Sequence, residues 1–418
     1  MNTTTAHQTF AIVGASLAGA KAAETLRDEG FDGRVVLVGA EPELPYERPP
    51  LSKEYLRGES DRAQIHVHDP SVYADREIEL RLGERAVSVD PGRRELALDS
   101  GERLAYDRLL LSTGSEPRRL TIPGSDLAGV HYLRTVDDCD VLRERLDAGG
   151  KLVVVGAGWI GAEVAASARQ RGLDVTLIAR DSVPLEPVLG PEVGAVYRDL
   201  HAENGVEMLM GSGAAAFEGD RAVERVRTID GRVIDCNIVV AGVGAQPRTE
   251  LADGAGLAVE NGILVDGRLQ TSAPDIFAAG DVANQLHPCL GRLRVEHWDN
   301  ALHQGPAAAR SMLGSTEAYA RAPYFFSDQY DVGMEYSGHA RGSDGVVLRG
   351  DPASREFIAF WLSEGRVVAG MNVNVWDVTE PIQALIAGRR PVDARRLADP
   401  TVPLIESIAG QQVTAKGA

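Results

Sequence analysis

Gly14, Ser16 and Gly19 stand in the stretch Gly14-Ala15-Ser16-Leu17-Ala18-Gly19, and Gly156, Gly158 and Gly161 in Gly156-Ala157-Gly158-Trp159-Ile160-Gly161. Each stretch follows a short β-branched run and opens an alanine-rich one. The first glycine of such a turn permits the tight bend, the second admits a phosphate to the backbone, and the third lets a helix pack closely on a strand. The helix that begins there offers free N–H groups and partial positive charge to a pyrophosphate. The second fingerprint is complete; in the first, Ser16 takes the middle place and lets the backbone approach phosphate less freely. One such motif is a weak signal, because close helix–strand packing also uses these glycines. Two in the same context point to two dinucleotide sites.

The residue ending the second strand of each unit selects the ribose. Glu41 lies 22 residues past Gly19 and could accept from the ribose hydroxyls. In the second unit the strand ends Leu177-Ile178-Ala179-Arg180, with no acid. A 2′-phosphate could sit beside Arg180, which would favour NADPH. The plain alternative is an arginine pointing into solvent.

These turns need strands and helices around them, and the pattern supplies both. Residues 9–41 and 151–180 repeat one plan about 142 residues apart: strand, glycine turn, helix of about 12 residues, a Gly near its end, second buried strand. That is the βαβ unit of a doubly wound sheet. Gly30 and Gly172 fall where a helix C-cap wants positive φ. Residues 107–114 read as a strand entering a turn, 85–98 as a hairpin-like run and 221–245 as strand, turn, strand. A further strand precedes the turn at Gly280-Asp281. Beyond Pro323 aromatics become frequent, and strands with glycine turns run to Trp376. The expected fold is α/β, with two doubly wound, Rossmann-like domains and a small α+β domain. Residues 6–116 and 246–323 form the first domain, 117–245 the second and 324–418 the third. The polar ends, 1–8 and 411–418, are expected to be mobile.

Composition narrows the chemistry. With 418 residues, 44% apolar and 25% charged, the chain is neither disordered nor fibrous. Its three cysteines, Cys139, Cys236 and Cys289, include no CxxC pair. This argues against a disulfide scaffold, a cysteine-rich metal or iron–sulfur site and a dithiol centre, and fits a reducing compartment. A net charge of −18 argues against general nucleic-acid binding. Of 43 cationic residues only Lys21, Lys53, Lys151 and Lys416 are lysines. No apolar run reaches the roughly 18 residues of a membrane span. Residues 10–20 could pass for a signal-peptide core, but residues 1–8 carry no Lys or Arg. A soluble cytoplasmic protein is expected. No Ser–His–Asp order, HExxH or Walker loop occurs, and strand alternation explains His66-x-His68 more simply than a metal site does. Two nucleotide sites then imply two cofactors: a flavin held permanently and a nicotinamide that visits it.

Further motifs carry a resemblance. They are Pro45-Tyr46-Glu47-Arg48-Pro49-Pro50-Leu51-Ser52-Lys53; Ser112-Thr113-Gly114 with Pro117-Arg118; and Tyr132-Leu133-Arg134-Thr135. Phe277-Ala278-Ala279-Gly280-Asp281-Val282 and Arg294-Val295-Glu296-His297-Trp298-Asp299-Asn300-Ala301 complete the set. From about residue 10 to 387 the chain resembles the FAD-dependent ferredoxin reductases of bacterial oxygenase systems, with the apoptosis-inducing factor as a cousin. The resemblance implies a glutathione-reductase-like arrangement. It implies that Gly14, Ser16, Ala18 and Gly19 meet FAD, with Glu41 having to substitute for the family's ribose-binding acid or the contact being lost, and that Arg48, Ala86, Thr113, Gly114, Arg118 and Arg134 lie against it. Asp281 would hold its ribitol and pyrophosphate end, and Trp298 would cover the isoalloxazine. Lys53 would sit beside flavin N5, paired with Glu163. Gly156, Gly158, Ile160, Gly161, Arg180 and Gly244 would bind NAD(P)H. Three positions depart from the family's pattern: Ala40 stands where a ribose-binding acid is common, Ala179 where NADH users carry Glu, and Phe326 where Trp is frequent. The coenzyme choice stays open.

A compact ammonium near N5 suits a chain that otherwise chooses arginine, although a surface ion pair is the plain alternative for Lys53, and a core indole for Trp298. The implied reaction passes hydride from NAD(P)H to FAD and then single electrons to an iron–sulfur ferredoxin that feeds a haem monooxygenase or Rieske dioxygenase. Ferredoxins of this kind are generally acidic, so docking on an acidic chain needs a local arginine patch. Arg292, Arg294 and Arg310 are candidates. Rival readings are an NAD(P)H oxidase, a disulfide reductase or a redox-sensing interaction protein. Whether the chain is a monomer or a dimer stays open.

Overall fold

A computed structural model describes residues 8–340 and 342–409. The termini expected to be mobile lie outside the described residues, apart from Gln8, whose carbonyl accepts from the Arg34 N–H. The chain divides into two compact units.

The first unit takes residues 1–50, 60–116 and 245–321. Its centre is a five-stranded sheet in the order Ile276–Ala278, Arg108–Leu111, Thr9–Val13, Arg34–Gly39, Ile78–Leu82. Every neighbouring pair in it is parallel. Its inner strands read as unbroken apolar runs because helices and loops cover both faces; Ile12, Leu37 and Leu109 have no exposed surface. The helix Leu17–Asp28 begins as soon as the glycine turn closes, and Gly30 follows it at φ +82°. It packs against the helix Trp298–Met312 at backbone distance: a Cβ on Gly305 would fall 2.2 Å from the Ala18 carbonyl oxygen. Residues 85–98 form the expected hairpin, Ala86–Asp90 with Glu95–Leu98, extended by Arg103–Ala105.

The second unit takes residues 51–59, 117–244 and 322–418. Its parallel sheet runs Glu207–Met210, Asp174–Ala179, Lys151–Val155, Ile238–Ala241, Val130–His131. The helix Trp159–Gln170 has the same 12 residues as its counterpart, and Gly172 follows at φ +86°. The helix Glu186–Glu203 is kinked where Gly190 takes φ +77° before Pro191. Beyond Pro323 the chain forms a five-stranded antiparallel sheet: Tyr324–Gln329, Val332–Gly338, Arg366–Val373, Glu356–Ser363, Gly345–Asp351. The helix Thr379–Gly388 packs on two of these strands. Among the described residues no helix is long and apolar enough to cross a membrane.

Candidate functional site

Both fingerprint turns are built for close backbone approach. Gly14 takes φ +116°, and a Cβ there would fall 2.1 Å from the Ser112 carbonyl oxygen. Gly156 takes φ +107°, and a Cβ would fall 2.2 Å from the Gly242 carbonyl oxygen. Gly19 and Gly161 each bring the new helix onto its own turn, with virtual Cβ positions 2.1 and 2.0 Å from the oxygens of Gly14 and Gly156. Gly158 differs: nothing lies within 4 Å of its virtual Cβ, so the middle of the second turn faces open space.

The helix ends themselves fit an anion. Neither Leu17–Asp28 nor Trp159–Gln170 has an acidic residue in its first turn, and neither Ser16 nor Gly158 caps its helix by a side-chain hydrogen bond. By contrast, the helix Val136–Asp147 is closed by a Thr135–Asp138 capping box. Leading N–H groups left without a cap or carboxylate match a pyrophosphate. The residues present therefore fit a dinucleotide at each turn.

In the first unit, Glu41 follows the strand Arg34–Gly39 and accepts from Tyr46 Oη at 2.5 Å and from Arg48 at 3.3 Å. Burial works against the Arg48 charge, yet Tyr46, Glu41 and Asp281 outweigh it and raise the guanidinium above its ordinary range. Asp281 sits in the short turn Gly280–Val282 and accepts from Ser115 Oγ at 2.9 Å. Thr113 Oγ1 donates to the Arg248 carbonyl, and Gly114, at φ +70°, accepts from the Arg248 N–H. Ala18 lies under Gly280 and Gly305, so its small side chain serves helix packing. Ala86 opens the hairpin strand and Trp298 opens the helix Trp298–Met312.

In the second unit, Lys53 and Glu163 meet. Lys53 Nζ donates to Glu163 Oε2 at 3.0 Å, with side chains 7% and 6% exposed. Ser52 Oγ donates to the same oxygen at 2.5 Å, and Ser327 Oγ donates to Oε1 at 2.7 Å. Phe326 lies beneath the Lys53 ammonium, 5.6 Å from nitrogen to ring centre, which gives the Phe-for-Trp departure a place in the fold. Ser327 was not singled out from sequence, and Ser52 stood in the Pro45–Lys53 motif without a role. The available signal was Glu163 itself, the one charged residue among the small and apolar residues 159–168. Ile160 is 44% exposed at the mouth of its helix. Arg180 follows the strand Asp174–Ala179, is exposed, and makes no ion pair or hydrogen bond among the described residues. Its stem lies beside Gly213. Gly244, at φ +96°, accepts from the Arg118 N–H, and the Arg134 N–H donates to Asp138.

The three arginines offered as a docking patch each have partners within the chain. Arg294 is only 10% exposed, donating to the Asp281 carbonyl and to Glu296. Arg310 pairs with Glu29, and Arg292 donates to the carbonyls of Val265 and Asn284. Arg294 is the one held inside the fold, whereas Arg292 and Arg310 remain exposed, Arg310 at 52%. Cys139 and Cys236 form no disulfide and are buried, and burial pushes both thiols up to about 12, which suppresses the thiolate.

Residues 8–305 match the family described as pyridine nucleotide-disulphide oxidoreductase, and residues 324–408 match the reductase C-terminal family. The chain is 36% identical over 420 residues to putidaredoxin reductase of Pseudomonas putida, covering 99% of this chain and 100% of that one. It is 41% identical over 399 residues to the ferredoxin–NAD(+) reductase component of the anthranilate 1,2-dioxygenase system of Burkholderia cepacia, covering 94% and 98%. The crystal structure of the covalent putidaredoxin reductase–putidaredoxin complex matches with a TM-score of 0.92 at 37% identity, covering 96% of this chain and 98% of that one.

Proposed function

Because the chain belongs to the pyridine nucleotide-disulphide oxidoreductase family, among the ferredoxin reductases of oxygenase systems, we propose how its residues divide the work of an NAD(P)H-dependent ferredoxin reductase. FAD, when bound, supplies the conversion at the heart of the reaction, taking hydride from NAD(P)H and yielding electrons singly to a ferredoxin. No general base is needed, since positioning supplies most of the catalysis. Residues 6–116 and 246–323 hold FAD, 117–245 receive NAD(P)H, and 324–418 form the C-terminal domain. In the first, the N–H groups after Gly14 meet the pyrophosphate, Glu41 the ribose, and Arg48, Ala86, Thr113, Gly114 and Asp281 the rest of the cofactor. Arg118, Arg134 and Trp298 also lie against it. Lys53 holds a positive charge for the N5 edge, with Glu163 as its counter-charge. Gly156, Gly158, Ile160, Gly161 and Gly244 seat NAD(P)H, and Arg180 is free to take a 2′-phosphate. The cytoplasm is the compartment that suits NAD(P)H and free thiols.

The observation that supports this most is the pair of uncapped, acid-free helix ends behind two glycine turns in one chain. The buried thiols give no support to dithiol chemistry. Ferredoxin-dependent reduction of cytochrome c tests it. The reductase should turn over only with added ferredoxin, whereas an oxidase would make peroxide without it.

A further inference from the structure

Glu163 is the inner end of a longer polar line. Ser327 Oγ donates to Glu163 Oε1, and Gln329 Nε2 donates to Ser327 Oγ at 3.3 Å. Gln329 Oε1 lies 2.9 Å from His201 Nε2, and Tyr330 Oη lies 3.4 Å from His201 Nδ1. Ser327, Gln329 and His201 are at most 1% exposed, whereas Tyr330 is half-buried at the outer end. Tyr330 takes φ +57°, a left-handed conformation rare for an aromatic residue, and sets its ring edge-on to the imidazole, 5.5 Å between centres.

The chemistry of the members fixes the sense of every link. A carboxylate only accepts, so the Ser327 hydroxyl proton points at Glu163. The serine oxygen then accepts from the Gln329 NH2, which leaves the Gln329 carbonyl as acceptor. His201 must carry its proton on Nε2, and its bare Nδ1 can receive the Tyr330 hydroxyl. That requires a neutral ring, and burial lowers the His201 pKa to about 4. We propose that Ser327, Gln329, His201 and Tyr330 are positioning residues: a one-way chain of hydrogen bonds, running inward from Tyr330, that fixes the Glu163 carboxylate and through it the Lys53 ammonium. Aligned links of this kind strengthen one another in a low-dielectric interior. The functional part rests on Lys53 facing the flavin.

Two measurements on the FAD-loaded chain test it. Nitrogen-15 NMR of wild-type His201 at pH 7 should show the neutral Nε2–H tautomer. A protonated ring or the Nδ1–H tautomer overturns the chain. The flavin midpoint potential, set beside that of Lys53→Met, should fall in Ser327→Ala and in Gln329→Leu by about a tenfold loss in the reduction equilibrium, about 30 mV for two electrons. Ser327→Thr should restore it. Unchanged potentials in both variants, with Lys53→Met shifted, would sink the proposal. If Lys53→Met itself leaves the potential unmoved, the flavin role of Lys53 fails instead, and the tautomer still decides whether the chain exists.

Discussion

Lys53 Nζ and Glu163 Oε2 lie 3.0 Å apart, each side chain under a tenth exposed, although 110 residues separate them in sequence. A buried pair of this kind contributes little net stability, yet leaving one partner alone is expensive. Lys53→Met and Glu163→Gln should each slow reduction of the bound flavin by NAD(P)H, by about tenfold or more. In urea unfolding of the FAD-loaded protein, Lys53→Met should cost about 3 kcal/mol, and Lys53→Met/Glu163→Leu less than the sum of its parts. Additive losses would show that the two charges do not act together.

The two kinds of glycine in the second turn should respond differently. Gly161→Ala drives a Cβ to 2.0 Å from the Gly156 carbonyl oxygen, so thermal unfolding should show a loss of about 3 kcal/mol. Gly158→Ala enters open space and should leave stability within about 0.5 kcal/mol while raising KM for NAD(P)H several-fold. Equal effects on stability would contradict the distinction.

The two βαβ repeats were legible from sequence almost to the residue. Their glycine turns and alanine-rich helices are local patterns, and Gly30 and Gly172 adopt the expected positive φ. What the sequence hid is long-range. Ser52 and Ser327 reach Glu163 across 111 and 164 residues, and His201 reaches Gln329 across 128. No periodicity or motif encodes such a meeting, and serine and glutamine are ordinary residues in loops and strands. The partners of the three arginines were hidden for a related reason: proximity to Trp298 in sequence says nothing about the carbonyls and carboxylates that meet Arg292, Arg294 and Arg310.

His201 makes the fold sensitive to acid. Its pKa is lowered from 6.5 to about 4 by burial, against the bond to Gln329, so the unfolded chain takes up the proton first as pH falls. The stabilisation is fully present above pH 6.5 and is lost as pH drops toward about 4. Between pH 7 and 5 the wild type should lose about 2 kcal/mol more than His201→Leu, measured by urea unfolding of the FAD-loaded proteins. Parallel pH profiles would show that His201 does not carry this dependence.

Arg180 stands exposed where the second strand ends, with no carboxylate at Ala179. Arg180→Ala should weaken NADPH, by about tenfold in kcat/KM, and leave NADH nearly unchanged. Equal losses with both coenzymes would remove the 2′-phosphate role.

The most direct test is anaerobic stopped-flow mixing of the purified protein with NADH and, in parallel, NADPH, watching the flavin absorbance before and after ferredoxin is added. The expected result is a yellow protein that bleaches with one equivalent of coenzyme per chain and regains its colour as oxidised ferredoxin is reduced. A protein that is colourless after gentle preparation and refuses added FAD, or that bleaches but passes nothing to ferredoxin, contradicts the proposed role.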